Sequence, residues 1–499
     1  MGRCVATAAL LVLIAGLPAA AQGRSDRVAA WPSSRAPKPL DARKVPFPPY
    51  ELRTLANGLR VVAVPHHEQP AVTVRLLVRA GAAQDPASRP GVASLLSSVL
   101  DQGTTTRSAS EIADAIDYVG GALGTGAGVD LSFASAVVMR GDFDLALDLV
   151  ADIARRPALA PEEIARQREQ LLSAQQVSAQ DPEFLADAVL ERLVFGYHPY
   201  GAPSGGTPES IVAITREDLV AFHGTWFVPN NAILAVVGDL TTAEAFAGAE
   251  RAFGSWAQKD LPAATFPEPP PATRRVVLVD RPGAVQTEIR VGNVAIPRDH
   301  PDHMALDLAI RILGGEGSNR LQRVLRSDRG LTYGASVEAS ALRESGAIIG
   351  ETDTRSDKTG ETLRLTVDEF WRLQREPVSE WELSSVKAYI SGNFPLGIET
   401  PNAIAQQVLS ALHYGLDLKE LQEFPERVSG VTVEDIQRVA RLYLKPGRLS
   451  IALVGDASFV ADQLRRVGFS EFEVIPIDRL DLTAADFTRA SPPPVAAPR

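Results

Sequence analysis

The 499-residue chain contains one cysteine, Cys4, and only 6% aromatic residues. A single thiol forms no internal disulfide and no Cys/His cluster of the zinc-finger kind, so stability must come from core packing and thiolate chemistry drops out. Positive charge is also short. Lys and Arg number 50 against 61 Asp and Glu, a formal net charge of -11. That sign offers no basic field to a nucleic acid, and no Walker-type glycine loop is there for a nucleotide. Beyond the N-terminus no segment is continuously apolar over the roughly 20 residues a membrane-spanning helix needs. What is present, 45% hydrophobic and 22% charged residues, is the balance of a globular chain long enough for two to four domains.

The N-terminus MGRCVATAALLVLIAGLPAAAQG has a positive charge at Arg3, an apolar run from Val5 to Leu17 and the small residues Ala19, Ala20 and Ala21 before Gln22. This is the pattern of a secretory signal over residues 1–21, so the expectation is a periplasmic protein, without a membrane span once the signal is removed. Cys4 leaves with that signal. Residues 22–48 are polar and proline-dotted, and residues 482–499 end in SPPPVAAPR. Both read as solvated extensions, the second as a disordered tail. The stretch 259–275, KDLPAATFPEPPPATRR, carries five prolines and reads as an extended linker between domains at 49–258 and 276–481.

The two halves resemble each other. At an ungapped offset of 217 residues, ITREDLVAFHGTWFVPNNAILAVVGD (Ile214 to Asp239) lies over VTVEDIQRVARLYLKPGRLSIALVGD (Val431 to Asp456), keeping Thr215/Thr432, Asp218/Asp435, Pro229/Pro446 and the closing Val-Gly-Asp. Each copy predicts an N-cap, an amphipathic helix, a proline break and a buried strand. The starts agree more loosely: PAVTVRLLVRAG and GAVQTEIRVGN both alternate as strands, each followed by a turn and a helix, at 89–101 and 301–313. The implied fold class is α+β, two duplicated domains with helices packed on a largely antiparallel sheet.

In GVASLLSSVLDQGT, Gly91 to Thr104, the residues Val92, Leu95, Leu96 and Val99 make a buried helical stripe while Ser94, Ser97 and Ser98 share another face. Side chains at that spacing could hold a metal together, but serine hydroxyls are poor ligands. Two histidine pairs, His66/His67 and His300/His303, have no acidic or cysteine companion at ligand spacing and read as surface imidazoles. LGGEGSNRL, Leu313 to Leu321, reads as a helix stop and turn.

From about Arg53 to Pro476 the chain is similar to the insulinase/pitrilysin family in its short form, that of mitochondrial processing peptidase subunits and their bacterial relatives. The markers are LANGLRVVAVPHHEQPAVTVRLLVRAGAAQDP, GVASLLSSVLDQGTTTRSASEI, FGYHPYGAPSGGTPESI, the two Val-Gly-Asp strands, LGGEGSNRL and LRSDRGLTYGASV. The resemblance implies a peptidase whose H-x-x-E-H helix binds zinc and polarises water. Here those places fall on Ser94, Ser97 and Ser98, and the third ligand, a glutamate in the family, falls on Gln175, so no zinc is expected in this chain. Arg326 and Tyr333 match the family's arginine/tyrosine pair, which binds substrate peptide and stabilises the oxyanion; on residues alone, Arg326 reads as a helix-end charge and Tyr333 as a strand residue with a surface hydroxyl. The expected function is a partner subunit in a heterodimer, a zinc-bearing homologue supplying the metal and the pair acting on peptide substrates. The alternative is an inert structural or peptide-binding subunit, similar to respiratory-complex core proteins.

Overall fold

The computed structural model describes residues 45–263, 265–315 and 319–489. The signal reading, residues 22–44 and the last ten residues lie outside them. From Pro46 onward the chain makes one compact unit; of the unit before it only Val45 is described.

Among the described residues twelve strands form two six-stranded sheets. The first contains β1 (Glu51–Thr54), β2 (Arg60–Pro65), β3 (Ala71–Val78), β4 (Ala122–Ala127), β5 (Ser132–Met139) and β6 (Ala232–Gly238), in the order β1-β2-β6-β3-β5-β4. The second contains β7 (Val276–Asp280), β8 (Gln286–Ala295), β9 (Ala335–Ala341), β10 (Gly346–Arg355), β11 (Ser450–Gly455) and β12 (Glu473–Pro476), in the order β12-β7-β11-β8-β10-β9. The two orders superimpose strand for strand except at one outer edge. There β1, from the start of the first half, runs antiparallel to β2, whereas β12, from the end of the second, runs parallel to β7. The sheets are mixed: β2 and β6 pair in parallel in the first, β12, β7 and β11 in the second, and every other pairing is antiparallel.

The repeated 26 residues fold as their pattern dictates. The Thr215 hydroxyl accepts the Asp218 N–H at 3.3 Å while the Asp218 carboxylate accepts the Thr215 N–H at 2.8 Å; Thr432 and Asp435 repeat both bonds at 3.2 Å and 3.0 Å. Each reciprocal cap starts a helix, Arg216–Trp226 or Val433–Tyr443. Every residue of β6 and β11 is buried, so both faces of each strand are covered.

One face of each sheet is covered by helices of its own half, the other by a helix from the opposite half. Helix Pro182–Phe195 of the first half buries Leu185, Val189, Leu190 and Leu193 against Val277, Val279, Ala452 and Val454 of the second sheet. Helix Pro401–His413 of the second half buries Ile404, Val408, Leu409 and Leu412 against Val62, Val64, Ala235 and Val237 of the first. At roughly 1.5–3 kcal/mol for each large aliphatic side chain buried, either exchanged helix contributes enough to decide whether its host sheet is stable.

The two ends depart from the sequence expectation. Phe47, in the segment read as solvated, is 4% exposed and joins the first sheet's outer cluster. Phe487, in the stretch read as disordered tail, is 0% exposed in the cluster under helix Pro182–Phe195. An aromatic in a proline-rich, polar setting looks like an extension until a partner surface takes it up. The described residues of the stretch 259–275 form no helix or strand, and Phe266 packs its ring 5.8 Å from that of His198. No helix among the described residues is long and apolar enough to cross a membrane.

Candidate functional site

Helix Val92–Val99 begins at Gly91, whose φ of 101° needs a residue without a side chain. The Asp85 carboxylate accepts the N–H groups of Gly91 at 2.6 Å and Ala93 at 2.8 Å and so caps the first turn. Val92, Leu95, Leu96 and Val99 are buried as expected. Ser98 Oγ donates to the Leu95 carbonyl at 2.8 Å, Ser94 is half-buried, and Ser97 is 2% exposed with no hydrogen-bond partner for its Oγ.

Gln175 lies on helix Pro161–Ser178, which packs against Val92–Val99. Its amide donates to the carbonyls of Gly205 at 2.9 Å and Gly206 at 2.8 Å. The residue at the third ligand position is therefore an amide donor tying a loop to a helix, which a carboxylate could not be. Three hydroxyls and an engaged amide do not fit zinc, which takes imidazole, thiolate or carboxylate. Among the described residues no group of three or more His, Cys, Asp or Glu side chains is placed to hold a metal.

The histidine pairs are not simply surface imidazoles. His67 is exposed but has an acidic companion after all, Asp239, 2.6 Å from Nδ1. His66 is buried, with no partner at Nδ1. His300 and His303 are half-buried, and His300 Nδ1 accepts the Asp302 N–H at 3.1 Å. Burial, then the charges of Arg298, Arg427 and Arg311, push the His303 imidazole down to about 3.

Arg326 sits in a wide π-helical turn, Gln322–Asp328, and not in a regular α-helix. Its side chain is exposed and makes no hydrogen bond or ion pair with any described residue. Tyr333 is 87% exposed in the loop two residues before β9. The loop itself is tied down. Thr332 Oγ1 donates to Asp353, Thr352 Oγ1 donates to the Gly334 carbonyl at 3.0 Å, and Gln322 Oε1 accepts the Ala335 N–H at 3.1 Å. The last of these joins the Arg326 turn to the Tyr333 loop, so a fixed scaffold holds both exposed side chains. No hydrogen bond links the two to each other among the described residues. Arg329 is exposed as well.

Beside the Tyr333 loop opens a cavity of about 420 Å³, with Glu183 of the first half on one wall and Glu288, Arg290, Gln322, Gly334 and Asp353 of the second on the others. Gly314 and Gly315 of the glycine-rich turn also line it; a side chain at Gly314 would meet the Val337 backbone nitrogen at 2.2 Å. Arg290 is only 2% exposed and pairs with Asp187, with Glu288 at 3.2 Å and with Glu183 at 3.6 Å. Near them burial, then the charges of Asp187 and Glu338, raises Glu191 to about 7. Arg290 was missed in the sequence: in TEIRVGN it shares the polar phase with Glu288, opposite Ile289 and Val291, and only the exchanged helix carrying Asp187 buries it. β4 and β9 are edge strands of the two sheets, as are β1 and β12, and an edge strand can take up an extended chain as a further strand.

Residues 60–204 match the family described as Insulinase (Peptidase family M16), and residues 213–390 the Peptidase M16 inactive domain. An uncharacterized zinc protease of Mycobacterium tuberculosis is 30% identical over 411 residues, covering 81% of this chain and 92% of the relative. A zinc protease of Helicobacter pylori is 24% identical, covering 80% and 91%. Among solved structures, a peptidase M16 inactive domain from Pseudomonas fluorescens superimposes with a TM-score of 0.77 at 28% identity, over 82% of this chain and 98% of that one. A chain of complex III2 from Candida albicans shares the fold, with a TM-score of 0.71 at 16% identity over 84% and 99%. With its duplicated mixed sheets, its paired helices and these relatives, the chain belongs to the insulinase family of peptidases, M16.

Proposed function

We propose that the chain is the zinc-free subunit of an exported two-chain M16 peptidase, and that a zinc-bearing homologue completes the catalytic site. The observation that carries this reading is an asymmetry: the residues at the zinc positions are packed or hydrogen-bonded within the chain, whereas Arg326 and Tyr333 are exposed on a pinned scaffold with no described partner. An arginine and a phenol placed so can each donate to a peptide carbonyl, where the charge-assisted bond gains strength as negative charge develops on oxygen. The metal and the attacking water would belong to the partner, and this chain would orient the peptide and share the oxyanion.

The test mixes this subunit with a zinc-bearing M16 homologue from the same organism and measures peptide hydrolysis. The unmutated chain raises activity well above that of the homologue alone, and Arg326→Ala with Tyr333→Phe lowers turnover of the assembled pair by a factor of about 100 to 1,000. A double mutant that assembles and stimulates as well as the parent returns the chain to the structural-subunit class.

A further inference from the structure

A second cavity, of about 340 Å³, lies in the second half away from Arg326 and Tyr333. Its floor is the start of helix His303–Ile310 with the preceding loop, and its walls are helix Pro401–His413 and the short helices Lys419–Gln422 and Phe424–Gly430. The lining is mixed: Arg298, His303 and Arg427 share it with the carboxylates Asp299 and Glu420, and Leu416, Leu421 and Phe424 make an apolar wall. Arg427 is already taken by Glu420. The Arg298 guanidinium, by contrast, is half-buried and makes no hydrogen bond or ion pair with any described residue, and the His303 imidazole is likewise without a hydrogen bond. Burial lowers the Arg298 guanidinium and the charges of Glu420 and Asp307 partly offset this, but neither carboxylate is within ion-pair distance, so its donors line the cavity without a bonded partner. Burial, and after it the charges of Arg298 and Arg427, lowers the His303 imidazole in the same place.

The duplication shows that the cavity is not a requirement of the fold. Arg298 donates its backbone N–H to the Leu342 carbonyl, the first residue after β9; in the first half Ala82 donates to Gly128, the first residue after β4. Arg298 thus stands where the first half has alanine. In that half the neighbouring space holds the ring of Tyr200, 4% exposed and clustered with Ala83 and Leu193. At the offset of 218 to 219 residues that relates helix Pro182–Phe195 to helix Pro401–His413, the Tyr200 position falls on Leu418 or Lys419, neither of them aromatic. One copy is filled by an aromatic ring, and the other is hollow and carries an unpaired cation.

We propose that this second cavity binds a carboxylate bearing a short apolar group, with Arg298 and His303 holding the carboxylate and Leu416, Leu421 and Phe424 receiving the apolar part. Its volume is within the range of pockets that enclose small ligands, and a guanidinium meets a carboxylate with two parallel bonds. Two sources share this chemistry: a free short-chain acid, or the C-terminus of a peptide ending in an apolar residue. The inference does not depend on the partner subunit or on the role of Arg326 and Tyr333.

Titration calorimetry of the full chain tests it with butyrate, hexanoate, hexylamine, acetyl-leucine and acetyl-leucine amide as probes. Hexanoate is expected to bind more tightly than butyrate, by about fourfold for each added methylene, and hexylamine and the amide not to bind. The tighter of hexanoate and acetyl-leucine identifies the source. Arg298→Ala, which installs the first half's residue, is expected to weaken the acids about ten- to a hundredfold without changing thermal unfolding. Ala411→Leu, filling the cavity from its helix wall without altering any charge, is expected to weaken hexanoate as well. Equal binding of hexanoate and hexylamine, no saturable binding of either acid at millimolar concentration, or hexanoate affinity untouched by both substitutions overturns the proposal.

Discussion

Tyr200 donates its hydroxyl to Asp130 at 2.7 Å and with the same oxygen accepts the backbone N–H of Glu344, from the other half of the chain, at 3.1 Å. The second oxygen of Asp130 accepts the Arg343 N–H at 3.0 Å. The turn joining β9 to β10 is thereby docked on the first half through its backbone. Burial, then the neighbouring Asp130 charge, raises the Tyr200 phenol, so it remains a donor. Tyr200→Phe leaves a buried carboxylate oxygen and a backbone N–H short of a partner and should cost about 2–4 kcal/mol in urea unfolding. Tyr333→Phe, at an exposed position, should change stability by no more than about 0.5 kcal/mol. Equal effects of the two would refute this division between a structural and a surface tyrosine.

Gln175→Glu, which restores the family's ligand type at one position, should destabilise the chain. The new carboxylate faces the carbonyls of Gly205 and Gly206 in place of an amide donor, a loss of about 1–3 kcal/mol at neutral pH. Because the folded state would favour the protonated acid, the loss should shrink as pH falls. Purified parent chain should carry no stoichiometric zinc by elemental analysis; about one tightly bound zinc per chain would contradict the reading of the serine helix.

Acid sensitivity should appear at Glu382. Burial pushes this carboxyl up, but the Arg320 guanidinium, at 2.7 Å and 3.1 Å, and the Ser379 cap outweigh it and hold the group down at about 2. A depressed folded value means that its contribution is complete above the ordinary glutamate range and is lost as pH falls from about 4.5 toward 2. Glu382→Gln should therefore flatten stability against pH in that window while lowering it at pH 7, as read by denaturation at a series of pH values. A parallel pair of curves would show that the pair carries no pH dependence.

Cutting the chain within 259–275 should not separate the halves. Each sheet has one face covered by the other half's helix, so an inserted protease site, once cleaved, should yield two fragments that co-elute under native conditions and part only in denaturant. Fragments that separate in buffer would mean that the exchanged helices hold their host sheets weakly.

Much of this architecture is written locally. Thr215 and Thr432 announce their caps through the aspartate three residues on, and β6 and β11 announce full burial by lacking alternation. The helix exchange is not legible in that way, because Leu185, Val189 and Leu193 show that a face is buried but not which sheet receives it. Arg290 and Phe487 belong to the same class: a charge in a strand and a ring in a tail acquire their environment only from residues roughly a hundred or more positions distant. Ser94, Ser97, Ser98 and Gln175 were readable as non-ligands from their chemistry, whereas what Gln175 does instead required the position of the 205–206 loop.

The exchanged helices also bear on how the chain is made. The first sheet is complete in sequence when β6 has emerged at Gly238, yet the helix that covers its outer face begins only at Pro401. At roughly 5–20 residues per second of synthesis, that apolar face, with Val62, Val64, Ala235 and Val237, waits about ten to thirty seconds for its cover. A nascent first half is therefore an aggregation hazard by design of its topology. A holding factor that keeps it unfolded until the second half has arrived would remove that hazard.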